Sequence, residues 1–260
     1  MEDDTHDEDW DDAPAYRDPN EIEQAELNEA LCSLSLMDDP YLRMQALNLA
    51  VVDQFVMDLE YDVLRRLNSE DRTPGPEAMF LNAFSQMWIF AAYELLRTWR
   101  ERAKEVIKLH ENGGLTLKIE ALGKDPGFRH VGREIRADQL RTFLIDPTAI
   151  NKIKEDLRLI HIPFSRIEFI RIALAKHEVR GNKKSVAYAP GYGRINSWCG
   201  SLDYQLENGG AILGNINRRD IADALRLLSD RTKPPTDEEL ASFDEFMNGP
   251  SSVSDFPENK

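Results

Sequence analysis

The chain has 260 residues, of which 42% are hydrophobic and 30% charged, and its net charge is −15. No apolar stretch approaches the roughly 20 residues that cross a bilayer, and the acidic N-terminus lacks the basic start and apolar run of a secretory signal. Cys32 and Cys199 stand far apart in unlike surroundings, which argues against a disulfide framework or a structural zinc site. We therefore expect a soluble, cytoplasmic protein, and the sequence indicates no cofactor.

Charge is distributed unevenly along the chain. Residues 1–40 carry fifteen acidic residues against Arg17, a net charge of −14, and residues 231–260 carry a net charge of −4, which leaves +3 for residues 41–230. We expect an acidic disordered arm over 1–40, one folded domain over 41–230 and a flexible tail over 231–260. The arm is interpreted as a solvated tail. The alternatives are an aid to solubility and a shield over a basic site that a protein partner displaces.

Two long helices are predicted in the first half of the chain. A short helix near 21–34 precedes them, and apolar residues then recur at helical spacing over 41–68 and again over 77–110. The turn Thr73-Pro74-Gly75-Pro76 separates the two runs, so we expect an antiparallel helical hairpin with its aromatic stripes facing each other. The strongly charged end of the second run, 97–108, is expected to project into solvent.

The middle of the chain has a mixed pattern. Alternation over 115–119 predicts a short strand outside the core, and glycines and Pro126 predict loops after it. A helix is expected over 137–160, interrupted at Asp146-Pro147 and closed by Pro163. Ser165-Arg-Ile-Glu168 has the pattern of a capping box, which predicts a further helix that fades near His177.

The last third is predicted to contain strands and one helix. Alternating segments, with Asn208-Gly209 between the last two, indicate a β-hairpin; they are 186–188, 194–199, 202–206 and 211–213. Asn217 as N-cap, with Asp220 at the third helical position, predicts a final helix over 218–228. The expected fold is mainly α, a helical bundle built on a long antiparallel hairpin, with a small β-hairpin insertion before the last helix.

Motifs of common enzyme classes are missing from the sequence. It contains no Walker A loop, Gly-x-Gly-x-x-Gly, His-Glu-x-x-His, Cys-x-x-Cys or Gly-x-Ser-x-Gly. The segment Gly191-Tyr-Gly193-Arg194 is better explained as a tight turn than as a phosphate-binding loop. Dinucleotide chemistry and zinc hydrolysis are therefore not expected.

Arg171 and His177, separated by five residues at the predicted end of a helix, are the remaining candidates for chemistry. Here the chain resembles the HEPN superfamily, all-helical bundles found in nucleases, toxins and helper domains that share Arg-x(4–6)-His at the end of a core helix. The resemblance covers 41–230 loosely and implies a metal-independent ribonuclease of toxin or defence type, with its site at a homodimer interface. His177 would take the proton from a ribose 2′-hydroxyl while Arg171 stabilises charge on the attacked phosphate.

Further residues are candidates for supporting roles. Glu94 would orient Arg171 or His177, and Lys176 would hold phosphate. The alternative for Glu94 is a structural ion pair with Arg97 or Arg171, and for His177 a favourable interaction with the helix dipole. A substrate-binding basic patch with stacking aromatic residues is also predicted, unless these are ordinary surface charges and packing aromatics; its members are Lys183, Lys184, Arg194, Arg218, Arg219, Tyr188, Tyr192 and Trp198.

Two classes of function therefore compete. The first is an RNA-acting, HEPN-like domain whose enzymatic activity is itself uncertain. The second is a non-catalytic helical protein-interaction module in which Arg171 and His177 support the fold and the acidic arm gates the contact. A small-molecule enzyme ranks below both because no cofactor signature is present.

Overall fold

The computed structural model describes residues 16–125, 127–175, 178–179, 182–186, 193–208 and 211–249. These residues form nine α-helices and two small antiparallel sheets, which confirms the mainly α fold class. Pairs of helices surround one continuous apolar core.

The predicted hairpin is formed by α2 (Pro40–Glu70) and α3 (Gly75–Glu111). The Asp39 carboxylate caps α2 by accepting hydrogen bonds from the amides of the first turn, at 3.0 and 3.1 Å, and Pro40 needs no amide partner there. Both helices agree with the predicted segments within two residues at each end.

Contacts along the hairpin show that α2 and α3 run antiparallel. The indole Nε1 of Trp88 donates to the carbonyl oxygen of Leu49 at 3.3 Å, and the rings of Phe55 and Phe84 meet edge to face at 5.2 Å. Residues later in α2 therefore contact residues earlier in α3, which is the antiparallel arrangement predicted from the stripe pattern.

The end of α3 was wrongly predicted to project into solvent. Trp99 and Val106 are fully buried within 97–108. The reason is that α4 (Leu115–Gly123) and α5 (Val131–Ile145) pack beside this segment, while its charged residues face outward.

The strand predicted over 115–119 is instead the first turn of α4. Leu115 is buried, and Ile119 and Leu122, one and two turns later, also pack against the core. A five-residue alternation fits a helix as well as a strand when its apolar positions are four apart. This segment belongs to the core.

A break after Pro147 separates α5 from α6 (Ala149–Leu159), as predicted. The following helix, α7 (His161–Ala175), starts five residues earlier than the capping box with Ser165 as N-cap indicated. Pro163 lies in the first turn of α7, where a missing amide hydrogen removes no helical hydrogen bond. It therefore neither closes α6 nor interrupts α7.

Two small sheets follow α7. The strands β1 and β2 pair with each other, and β4 lies between β3 and β5 in the second sheet; the strands are β1 (Glu178–Val179), β2 (Asn182–Val186), β3 (Arg194–Ile195), β4 (Leu202–Asn208) and β5 (Ala211–Ile216). The hairpin predicted before the last helix corresponds to β4 and β5. It leads into α8 (Arg218–Arg226), which Asn217 and Asp220 cap reciprocally as predicted.

Part of the predicted acidic arm belongs to the folded domain. Within 16–40, α1 (Glu26–Cys32) buries Leu27 and Leu31, and Met37 after it is buried as well. The boundary at residue 40 is therefore wrong, because the apolar residues of this segment share one side of α1 while its carboxylates face solvent. Residues 1–15 lie outside the described residues.

Part of the predicted tail is also attached to the domain. A helix, α9 (Asp237–Asn248), follows α8, so α8 is not the last helix. Met247 is buried, its carbonyl oxygen accepts a hydrogen bond from Asn208 at 2.8 Å, and Asp244 contacts His161 at 2.7 Å. These contacts replace the expected flexible tail over 237–248.

Candidate functional site

Arg171 lies in the last full turn of α7, above the ring of Tyr93 from α3. The distance from its guanidinium carbon to the ring centroid is 4.6 Å, within cation–π range. Burial first, and the charge of Glu168 next, raise the pKa of Tyr93, whose hydroxyl donates to Glu168 at 3.5 Å. Among the described residues no carboxylate forms an ion pair with Arg171. Within the described part of the chain, the Arg171 guanidinium is thus held by the Tyr93 ring and not by a counter-ion.

The contact between Arg171 and Tyr93 is one end of a longer row. Tyr93 stacks on Phe164 with 5.7 Å between ring centroids, and Arg100 lies 4.6 Å above the Phe164 ring. Two half-buried guanidinium groups therefore lie along the seam between α3 and α7, each fixed by an aromatic ring.

The other predicted members of this site are only partly placed by the structure. His177 and Lys176 lie outside the described residues, and α7 ends at Ala175, before both. Lys183 and Lys184 lie on strand β2. Of the predicted catalytic pair, only Arg171 lies within the described residues.

Glu94 is exposed on α3 and forms an ion pair with Arg97 at 2.8 Å. Arg97 pairs in turn with Glu101 at 2.6 Å. This arrangement corresponds to the structural alternative for Glu94, a partner of Arg97, and brings it into no ion pair with Arg171.

Two members of the predicted basic patch, Arg218 and Arg219, are fully buried, so the patch is wrong in this part. The first turn of α8 packs against α2, and Arg219 donates to Asp223 at 2.8 Å and to the carbonyl oxygen of Arg17 at 2.7 Å. Their charges are balanced inside the protein and are not available to a nucleic acid.

Exposed members of the predicted patch are found on the three-stranded sheet. Arg194 on β3 is exposed, and the Trp198 side chain is 47% exposed in the following turn. Tyr188 and Tyr192 lie outside the described residues. Of the predicted patch, Arg194 and Trp198 are therefore exposed on this sheet, whereas the two arginines of α8 are not part of its surface.

The most conspicuous surface feature is one that the sequence analysis missed, an apolar groove of about 650 Å3 between α2 and α3. We call it the hairpin groove. The α2 side consists of Gln45, Asn48, Leu49, Val51, Val52 and Phe55, and the α3 side of Phe84, Met87, Trp88, Ala91 and Glu94. Its floor is the buried indole of Trp88, and the edge-to-face pair of Phe55 and Phe84 crosses it.

The walls of the hairpin groove are apolar side chains open to solvent. Val51 is 50% exposed, Phe55 52% and Met87 62%. A sequence signal for this face exists: α2 carries a second apolar stripe, through Met44, Val51 and Phe55, opposite the stripe that enters the core. Periodicity alone does not distinguish this stripe from the one that enters the core.

Other kinds of site receive no support from the described part of the chain. No group of three or more histidine, cysteine, aspartate or glutamate side chains there is arranged to hold a metal ion. None of the described helices is long and apolar enough to cross a membrane.

Comparisons with protein-family models, with curated proteins and with solved structures give no match for the chain.

Proposed function

We propose that the chain is a helical protein-interaction module that binds its partner in the hairpin groove. The observation that carries the proposal is the exposure of a contiguous apolar surface on the two longest helices. Exposed apolar patches of this extent mark interaction sites on soluble proteins, since leaving them in water is unfavourable.

The construction of the groove supports this proposal. Its apolar walls stand on two helices that the core holds rigidly, and polar groups stand at its edge, Gln45 and Asn48 on α2 and Glu94 on α3. An apolar centre with a polar edge is the usual anatomy of a protein interface. Rigid walls also reduce the entropy that binding costs.

The test is capture of a partner by the full chain from lysate of the source cells, compared with the variants Val51→Glu and Met87→Glu. Each variant places a carboxylate in the groove, so we expect recovery of the partner to fall about tenfold or more. The matched control is Leu117→Glu, because Leu117 is 71% exposed on α4, away from the groove. Equal recovery by all four chains would exclude the groove as the binding surface.

A second proposal, metal-independent ribonuclease activity of the HEPN-like type, is supported by the Arg171 guanidinium, which lacks a carboxylate partner among the described residues. In this proposal His177 removes the 2′-hydroxyl proton, the 2′-oxygen attacks phosphorus, and the bond to the 5′-oxygen breaks. The products are a 2′,3′-cyclic phosphate and a 5′-hydroxyl that takes its proton from water. Arg171 stabilises the charge on the phosphoryl oxygens. DNA, which lacks the hydroxyl, would not be cut.

This second proposal is tested by incubating the full chain with single-stranded RNA in excess EDTA. The full chain is required because residues 16–37 and 237–248 contribute to the packed domain. Loss of cleavage in His177→Ala and Arg171→Ala, with Arg97→Ala unaffected and circular dichroism unchanged, would support a ribonuclease. RNA left intact by the wild-type chain would argue against it.

A further inference from the structure

We infer that the occupant of the hairpin groove is a second copy of this chain, docked about a two-fold axis so that two helical hairpins form one four-helix layer. The inference rests on the proposed function and names its partner. It is supported by the shape, the area and the charges of the exposed face of α2 and α3.

The shape is that of half a bundle. On α2, Met44, Val51 and Phe55 are spaced seven and four residues apart, and on α3, Phe80, Phe84 and Met87 are spaced four and three apart. Each set forms a stripe along one side of its helix, parallel to the groove. On such a pair of antiparallel helices, the outward stripes form two ridges with a groove between them. A second, identical hairpin can pack its ridges into this groove, which gives a four-helix arrangement.

The area suffices for a dimer. Six large apolar side chains of this face are between 37% and 62% exposed; they are Met44, Val51, Val52, Phe55, Phe80 and Met87. At roughly 100 Å2 for a half-exposed large side chain, two copies would remove about 1,200 Å2 from water through these residues alone, which reaches the lower limit for a specific interface. A single short peptide in the groove would leave Phe80 and Met44 uncovered.

The charges favour self-docking with the two copies reversed. The middle of the α2 stripe is uncharged, with Asn48 as its polar member, whereas Arg43 stands at one end and Asp58 at the other, both exposed. A two-fold axis near the middle brings the Arg43 end of one copy to the Asp58 end of its partner. The ends then attract each other, and no unpaired charge is buried in the centre.

The position of the axis follows from the contacts within the hairpin. Leu49 is level with Trp88, and Phe55 is level with Phe84, so Val51, the middle residue of the α2 stripe, lies level with Met87 on α3. In a two-fold interface, residues at the axis meet their own counterparts. Val51 of each copy should therefore approach Val51 of the other.

The first experiment is sedimentation equilibrium of the full chain, whose single-copy mass is 29.8 kDa. We expect a species of twice that mass, and a rise of about 100-fold or more in the dimer Kd for Val51→Glu and Met87→Glu, because each puts two carboxylates into the interface. Leu117→Glu should sediment like the wild type. A monomeric wild type, or a dimer that both groove variants leave intact, overturns the inference.

The second experiment tests the position of the two-fold axis. Val51→Cys, in a chain that also carries Cys32→Ser, should form an intermolecular disulfide under mild oxidation, because the bond requires Cβ atoms about 3.5–4.5 Å apart. Ile212→Cys in the same background is the control, since Ile212 is 67% exposed on β5. A covalent dimer at position 51 and not at 212 supports the arrangement, and its absence overturns it.

Failure of this inference differs from failure of the proposed function. A monomeric chain whose groove variants still lose a captured partner would retain the interaction module and assign the groove to a different protein. A monomeric chain whose groove variants lose nothing would exclude both.

Discussion

Arg218 of α8 and Asp53 of α2 form an ion pair in which both side chains are buried, at 0% and 2% exposure. The same guanidinium donates from its Nε to Glu60, two turns further along the same face of α2, at 2.8 Å. Burial alone would lower the pKa of Arg218, but Glu60 and Asp53 more than offset this and raise it. One side chain thus fastens α8 to two turns of the long hairpin.

Arg218→Ala should destabilise the protein by roughly 3–5 kcal/mol, because it leaves the buried Glu60 carboxylate without its cation, while Asp53 keeps its ion pair with Arg226. Urea denaturation followed by circular dichroism measures this loss. Arg65→Ala serves as the control, since Arg65 pairs with Asp62 at the surface and its removal should change stability by about 0.5 kcal/mol or less. A loss below about 1 kcal/mol for Arg218→Ala would show that the network contributes little.

Gly200→Ala should destabilise the protein by roughly 3 kcal/mol or more. Gly200 has a φ of +74°, and a Cβ there would lie 2.1 Å from the carbonyl oxygen of Glu60, so both the backbone conformation and the contact with α2 require glycine. Gly75→Ala is the matched control, because no atom lies within 4 Å of a Cβ at that position. Equal urea midpoints for the two variants would contradict this account.

Glu105 should contribute to the acid sensitivity of the fold. Burial alone would raise its pKa, but hydrogen bonds from Lys118 and Arg136 outweigh burial and lower it. A lowered pKa means that the stabilisation is complete above the unfolded value and is lost as pH falls through the folded one. Glu105→Gln should therefore lose less stability than the wild type between about pH 6 and about pH 3 in urea titrations. Parallel losses in the two chains would refute the assignment.

A chain that begins at residue 41 should fail to fold. It lacks Leu27, Leu31 and Met37, and each of these buried side chains contributes about 2 kcal/mol against a total stability of about 5–15 kcal/mol. A chain that begins at Tyr16 keeps all described contacts, including the 2.7 Å hydrogen bond from the Tyr16 hydroxyl to Asp220. Thermal melting of both chains is the measurement, and a cooperative transition of the shorter one at the wild-type temperature would be the contrary result.

Most of the helical fold was predictable because long helices repeat their pattern many times. The stripes of α2 and α3 extend over about eight turns or more, and the Asn217 cap marks the start of α8 unambiguously. Short sequence patterns led to wrong predictions where the same pattern fits two different structures. The alternation over 115–119 fits a strand and a helix equally, and Pro163 is as acceptable in a first helical turn as after a helix end.

The candidate site was less predictable because it depends on partners distant in sequence. Arg218 and Arg219 have the composition of a basic patch, and the sequence does not reveal that α8 brings Arg218 to carboxylates 158 and 165 positions earlier. The hairpin groove was missed for a similar reason. A helix with apolar residues on two sides reads as fully buried, and only the tertiary arrangement shows that α2 covers one of its sides with the core and leaves the other open.

The hydrogen bond between Tyr16 and Asp220 joins residues that are 204 positions apart. A ribosome adds about 5–20 residues per second, so the N-terminal segment waits roughly 10–40 s for its counterpart to be synthesised. During that interval Leu27 and Leu31 have no α8 to pack against, and the nascent chain exposes the apolar side of α1. Early translation is thus the period in which this apolar surface is most open to aggregation, before Tyr16 and Asp220 can meet.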